Sequence, residues 1–228
     1  MKINLKEYFA QRDLRKNLME EPGPVITFSR DFGCRANEIA QLLITEINQQ
    51  ACKRYKPQPW KILNKEIVTE AAIALQRKPY EVAHALQPHE KTLLEEFVAS
   101  YATDHPGDQK ILDGIKDLVV SYADQGNLII VGRAGVAVTR SFKLSLHIKL
   151  EAPLDWRVEY LRESRGISLE KALALVQQND QCRRVFISQM RKEPYEETLF
   201  DVTYNRSTIS TKAIVKSIVS LLLTKQII

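Results

Sequence analysis

No run of about 18 uninterrupted apolar residues occurs in the chain, which leaves no segment that reads as a membrane-spanning helix. The opening stretch, Met1 to Glu20, holds no apolar run suited to a secretory signal. Cysteine is sparse. Cys34, Cys52 and Cys182 are odd in number, far apart and without CxxC spacing, so neither a zinc site nor a disulfide framework is indicated. The four histidines, His84, His89, His105 and His147, show no metal-ligand spacing. Internal repeats and low-complexity tracts are absent. These absences together predict a cytoplasmic protein with no membrane partner. Charge of one sign does not dominate either: 33 Lys and Arg stand against 28 Asp and Glu, a net +5. Such a small excess suits an anionic ligand such as a nucleotide, and equally a merely soluble surface. No sustained basic run or alternating aromatic–basic pattern appears, so nucleic acid is not an expected partner.

What is present is the composition of a globular protein, with 44% hydrophobic and 27% charged residues over 228 positions. That length fits one large domain or a core domain with insertions. Residues 1–24 read as a separate N-terminal helical extension, closed by the Glu21-Pro22-Gly23-Pro24 break. Val25 to Phe28 is a short β-rich run, followed by a polar loop. Ile39, Leu42, Leu43 and Ile47 then recur at helical spacing. Trp60 to Leu63 reads as a second short strand, and Ile111 to Tyr122 carries an amphipathic helical stripe. Gly126 suits the left-handed position after that helix. Leu128 to Val131 is a continuous apolar run of the kind a strand buried on both faces shows. Leu144 to Leu150 is another strand, Pro153 fits the first turn of a following helix, and Ser168 fits the N-cap of a long helix reaching Lys192. Val202 to Tyr204 is a last strand before a closing helix. Strands alternating with helices predict an α/β fold: a three-layer parallel sheet with helices on both faces.

Ligands in such sheets bind beyond the carboxyl ends of the strands, which selects the loops after Phe28, Val131 and Leu150. The first is a strand–loop–helix unit from Val25 to Ala40. Its helix N-terminus offers unpaired N–H groups to an anion, and its Arg30 and Arg35 can fork onto phosphate oxygens. It contains one glycine, Gly33. An ordinary βα connection with two solvated arginines is the competing reading. In the second loop, Arg133 lies between Gly132 and Ala134-Gly135, where it can reach into the cleft or form a surface ion pair. On the long helix, Asp180 and Arg183 are three apart and share a face with Arg184, Arg191 and Lys192 nearby. They read either as a solvated face or as a basic lid.

The ordered combination of these segments resembles the cytidylate kinase-like family. Ser29-Arg30-Asp31-Phe32-Gly33…Glu38-Ile39-Ala40 is similar to its phosphate loop, usually S-R-E-F-G-S-G-G-R-E-I. Asn64-Lys65-Glu66-Ile67 resembles its Y-D-K-E-I segment, and Ile130 to Gly135 its I-V-G-R-G segment. Ala152-Pro153-Leu154…Arg157, Asp180…Arg183 and Phe200-Asp201-Val202…Asn205 are similar to later stretches, so the resemblance runs from about Val25 to Ile218.

The resemblance implies a P-loop nucleoside monophosphate kinase-like fold with a helical acceptor-binding insertion at about 60–108 and a lid at about 165–195. It implies transfer of a phosphoryl group from ATP to CMP or dCMP with magnesium. Arg133 would meet the acceptor together with Asn64 and Lys65, and Asp180 and Arg183 would act from the lid. Ser29, Arg30, Gly33, Arg35, Asn37 and Glu38 would hold ATP, with Glu38 as a magnesium ligand. Chemistry of this kind is mostly positioning and charge stabilisation. The chain departs from the pattern where the family has Gly-Gly and a basic residue, since it has Arg35, Ala36 and Asn37. No standard P-loop lysine or following Ser/Thr is present, and the family's Asp beside the acceptor is Asn64. The same residues therefore also support a non-catalytic nucleotide-binding or scaffold protein on this fold.

Overall fold

The computed structural model describes residues 23–50, 59–63, 113, 116, 117 and 119–228. The elements follow in the order β1 (Val25–Arg30), α1 (Ala36–Gln50), β2 (Lys61–Leu63), β3 (Leu128–Val131), α2 (Gly135–Thr139), β4 (Ser145–Glu151), α3 (Leu154–Arg165), α4 (Leu169–Arg191), β5 (Val202–Asn205) and α5 (Thr211–Thr224). A single 3-10 turn at Glu197–Leu199 precedes β5. The five strands form one sheet in the order β2-β3-β1-β4-β5, and every pairing is parallel. The expected α/β fold with helices on both faces is what forms.

The apolar strand runs explain the centre of the sheet. β3 is buried along its whole length and β4 along all but its last residue, as two-sided coverage requires. On one face Ile26, Phe28, Leu146 and Ile148 meet Ile39, Leu43 and Ile47 of α1 and Ile214, Ile218 and Leu222 of α5. The i, i+4 spacing of those helical residues gives one apolar stripe to each helix. On the other face Val25, Leu128 and Ile130 pack with Val136 and Val138 of α2, Ile187 and Met190 of α4, and Val119 and Ala123. A smaller cluster of Val158, Leu161, Ala172 and Val176 joins α3 to α4 beside Phe32.

Helix ends follow local chemistry. Ser168 caps α4, its hydroxyl accepting from the Lys171 N–H, and Ser210 caps α5 in the same way toward Ala213. Pro153 stands one residue earlier than expected: its extended backbone makes it the N-cap of α3 rather than part of its first turn. Gly126 takes the left-handed conformation at the turn into β3. The expected N-terminal extension (bar its last two residues) and most of the expected acceptor-binding insertion, including Asn64 and Lys65, lie outside the described residues.

Candidate active site

Of the three loops selected by strand polarity, those after β1 and β3 converge on one cavity, while the loop after Leu150 does not line it. Beyond the carboxyl ends of β1 and β3, under α4, lies a cavity of about 620 Å³. Ser29, Arg30 and Asn37 come to it from β1 and α1, Arg133 from the loop after β3, Lys149 from β4, and Asp180 and Arg183 from α4. An adjoining cavity of about 270 Å³ runs along the loop itself, lined by Arg30 to Asn37, Tyr160, Ser164, Arg165 and Arg183. Gly33 and Arg35 belong to this second space. Glu38 lines neither cavity; it is exposed, and its carboxylate faces Arg35 at 3.4 Å.

The backbone around the cavity is strained where the arginines are delivered. Gly132, Arg133 and Ala134 take positive φ in succession (76°, 55° and 50°). A left-handed residue with a Cβ costs about 1–2 kcal/mol, and such outliers gather at binding sites. The turn is held by the Gly132 N–H donating to the Phe28 carbonyl (2.8 Å) and the Gly135 N–H donating to the Gly132 carbonyl (2.9 Å). Gly132 has a second reason to lack a side chain: a Cβ there would overlap the Arg30 guanidinium. In the loop after β1 Gly33 (φ 98°) turns the chain against the backbone of Arg157, and Arg35 (φ 51°) sits left-handed. The Arg35 guanidinium lies over Tyr160 (5.0 Å) and Trp156 (5.9 Å).

Positive charge dominates the large cavity. Its lining holds six cations (Arg30, Arg133, Lys149, Arg165, Arg183 and Arg184) against two carboxylates, Asp31 and Asp180. Burial, then the neighbouring Arg183 and Arg133, press the Arg30 pKa down to about 9, leaving it charged at neutral pH. Burial lowers Arg133 and Arg183 as well. Three guanidiniums desolvated within reach of one another favour an anion among them.

The two carboxylates are set by Arg157, which is buried and donates from Nε to the Ala152 carbonyl (2.9 Å) and from Nη1 to the Phe32 carbonyl (3.2 Å) and Asp180 Oδ2 (2.6 Å). The Phe32 N–H donates to Asp180 Oδ1 at 2.6 Å, so α4 reaches across 148 positions to cap the loop after β1. Arg183 Nη1 donates to the Arg30 carbonyl (3.3 Å), stands 3.7 Å from Asp180 and lies over the Phe32 ring. Asp31, 4.0 Å from Arg157, is pushed up in pKa by burial and by Asp180. Arg206 secures the far side of the loop, donating to the Cys34 carbonyl (3.3 Å) and Thr211 Oγ1 (3.2 Å).

Sequence reasoning missed Asp31, Arg165, Lys149 and Tyr195 as cavity residues. Lys149 had a visible signal: a lone charge inside the apolar run of β4. Arg157 was noted only as part of a resemblance, and its partners are separated too far along the chain to be read from it. Among the described residues, no cluster of three or more His, Cys, Asp or Glu side chains is placed to hold a metal, and no helix is long and apolar enough to cross a membrane.

A parallel sheet of this order, with an arginine-lined cleft at its carboxyl edge beside a strand–loop–helix unit, defines an α/β protein with a P-loop kinase-like fold. The chain belongs to the cytidylate kinase-like family, whose model matches residues 25–208. Comparison with curated proteins gives no match. Among solved structures, the fold is similar to an uncharacterized protein from Eubacterium ventriosum ATCC 27560 (16% identity, TM-score 0.62, covering 88% of this chain and 98% of that one). It is also similar to shikimate kinase from Bacteroides thetaiotaomicron (11% identity, TM-score 0.51, covering 87% and 98%). At such identities the likeness concerns the fold, while the family places the chain among nucleotide-kinase-like proteins.

Proposed function

We propose that the protein is an ATP-dependent nucleoside monophosphate kinase acting on CMP or dCMP. The observation that carries this reading is the convergence of Arg30, Arg133 and Arg183, from three separate elements, on one cavity at the carboxyl edge of the sheet. The choice of a cytidine nucleotide rests on the family resemblance.

In this reading an oxygen of the acceptor monophosphate attacks the terminal phosphorus of ATP, the bond to the bridging oxygen breaks, and ADP leaves. Arg133 holds the acceptor phosphate. Arg183 neutralises charge on the group in transfer, a role that needs only a preorganised cation. Asn64 and Lys65 would add acceptor contacts. Ser29, Arg30, Gly33, Arg35 and Asn37 form the ATP side of the cleft. Asp180, bonded to the Phe32 N–H, keeps the loop and the lid helix together before nucleotide enters. A phosphate oxygen seated in the loop takes over that N–H.

The residues present fit magnesium through one protein ligand. Both Asp180 oxygens are taken, and Glu38 lines neither cavity and pairs with Arg35. Asp31 remains, with one oxygen 4.0 Å from Arg157. Magnesium keeps most of its shell as water and phosphate oxygens, so we place it on Asp31 rather than on Glu38. Once bound it would offset charge on the phosphates.

A second reading, non-catalytic nucleotide binding, draws on the same Phe32–Asp180 bond, because a protein carboxylate already occupies a phosphate-loop donor. Turnover separates the two. Under the kinase reading, Arg183→Gln lowers kcat for ATP and CMP far more than it weakens CMP binding. Nucleotide binding by the wild type with no turnover would favour the second reading.

A further inference from the structure

The phosphate loop has no lysine, yet the cavity contains one. Lys149 enters from β4, paired in register with Ser29 of β1. Its side chain shares the sheet face of His147, two residues earlier, whose ring meets Thr27 Oγ1 at 2.8 Å. That parity places Lys149 beside Ser29 on the side covered by α4, and both residues line the large cavity.

A lysine is out of place in such a strand. The other residues of β4 from Ser145 to Leu150 are buried, and the Lys149 side chain is itself only 8% exposed. Burying an ammonium costs several kcal/mol unless it is paired, and lysine is among the residues least often found inside. Its partners are Glu197 Oε2 at 2.6 Å and Glu151 Oε2 at 3.4 Å. Tyr195 donates to the same Glu197 oxygen at 3.3 Å. Burial opposes the charged form, but the Glu197 hydrogen bond, Tyr195 and Asp31 outweigh it and raise the pKa, so the cation persists. The anchor is rigid and the counterions are not: Lys149 stands on a central strand, while the Glu197 and Glu151 side chains are 58% and 46% exposed, Glu197 on a single 3-10 turn. Carboxylate oxygens at those distances occupy positions that phosphate oxygens can take, with the same charge-assisted hydrogen bonds.

We propose that Lys149 is a phosphate-binding residue of this cleft, supplying from the neighbouring strand the ammonium that the phosphate loop lacks, with Glu197 holding it until a nucleotide phosphate exchanges for the carboxylate. The proposal deepens the kinase reading and rests on its assignment of the cleft to nucleotide. A purely structural Lys149–Glu197 pair would make removal of either partner harmful. The exchange makes the two removals opposite in sign.

The test uses the full chain and titrates ATP and inorganic tripolyphosphate calorimetrically into the wild type, Lys149→Met, Lys149→Arg and Glu197→Gln, with ATP-to-CMP turnover measured alongside. Lys149→Met weakens both ligands by at least tenfold, Lys149→Arg recovers part of the loss, and Glu197→Gln tightens both severalfold. If Lys149→Met does not fold, Glu197→Gln decides alone, since unchanged or weaker binding there overturns the proposal. Equal affinity of wild type and Lys149→Met overturns it too, while leaving the kinase reading standing if turnover is present. Loss of binding in Lys149→Met with a wild type that binds but never turns over keeps the proposal and removes the kinase reading. A wild type that binds neither ligand removes both.

Discussion

Replacing Arg157 with methionine separates structural from chemical roles in the cleft most sharply. Arg157 holds four groups at once: the Ala152 carbonyl, the Phe32 carbonyl, Asp180 at 2.6 Å and, more distantly, Asp31. Its side chain is 9% exposed and that of Asp180 is 16% exposed. Removing one member of a buried ion pair leaves an uncompensated charge and costs about 3–5 kcal/mol. The partial access of Asp180 to water puts this case near about 3 kcal/mol. For a domain of this size each kcal/mol moves Tm by roughly 2–4 °C, so Arg157→Met should lower Tm by roughly 6–12 °C. Asp180→Leu strands the arginine instead, leaves the Phe32 N–H unpaired, and should cost a similar amount. The double variant Arg157→Met with Asp180→Leu removes both charges and should recover part of the loss, because no charge is left unpaired although the Phe32 and Ala152 backbone groups lose these partners. Urea and thermal unfolding of the four proteins measures the cycle. A single variant within about 0.5 kcal/mol of the wild type, the range of ordinary surface changes, would refute the latch. So would a double variant whose loss equals the sum of the singles.

Three further outcomes are expected. Arg133→Ala should weaken CMP binding by roughly 10- to 100-fold, the worth of a charge-assisted hydrogen bond of about 1.5–3 kcal/mol, without changing Tm; calorimetry showing equal CMP affinity would take Arg133 out of the acceptor site. Gly132→Ala should lose about 1–2 kcal/mol of stability from its left-handed backbone and also displace Arg30, so that its nucleotide affinity falls while Gly166→Ala, also left-handed but facing open space, loses stability alone. His147, fully buried near Asp201, Arg140 and Lys225, has its pKa lowered from 6.5 to about 4 by burial above all. The unfolded chain therefore binds a proton near pH 6.5 that the native chain refuses until about pH 4, so stability is full above pH 6.5 and falls by about 3 kcal/mol as pH drops through that window. Denaturant midpoints of wild type and His147→Gln from pH 7 to 4 should diverge in slope, and parallel curves would contradict the assignment.

Much of the frame was legible because it depends on local pattern. Leu128 to Val131 is an apolar run with the exact bounds of β3, and Ile39, Leu43 and Ile47 mark the stripe that α1 buries. Ser168 announced the start of α4. The five-residue α2 was not legible, since Gly135 to Thr139 is too short for a helical period and rich in β-branched residues. In the site, Arg30 and Arg133 could be chosen from strand polarity, and Arg183 on α4 from the family resemblance. Their counter-groups could not. Asp180 meets Phe32 across 148 positions and Lys149 meets Glu197 across 48, and nothing in the local sequence encodes either approach. Lys149 is the exception, a charge visible in the sequence at a position that β4 buries.

The central claim is phosphoryl transfer in the arginine-lined cleft. The most direct measurement is ADP formation from ATP and magnesium by the full chain with CMP, dCMP, UMP and AMP in turn. The account predicts turnover that requires both magnesium and a monophosphate, highest with CMP or dCMP, and that falls on Arg183→Gln. Binding of ATP with no turnover above background for any of the four would contradict it and leave a nucleotide-binding protein on a kinase fold.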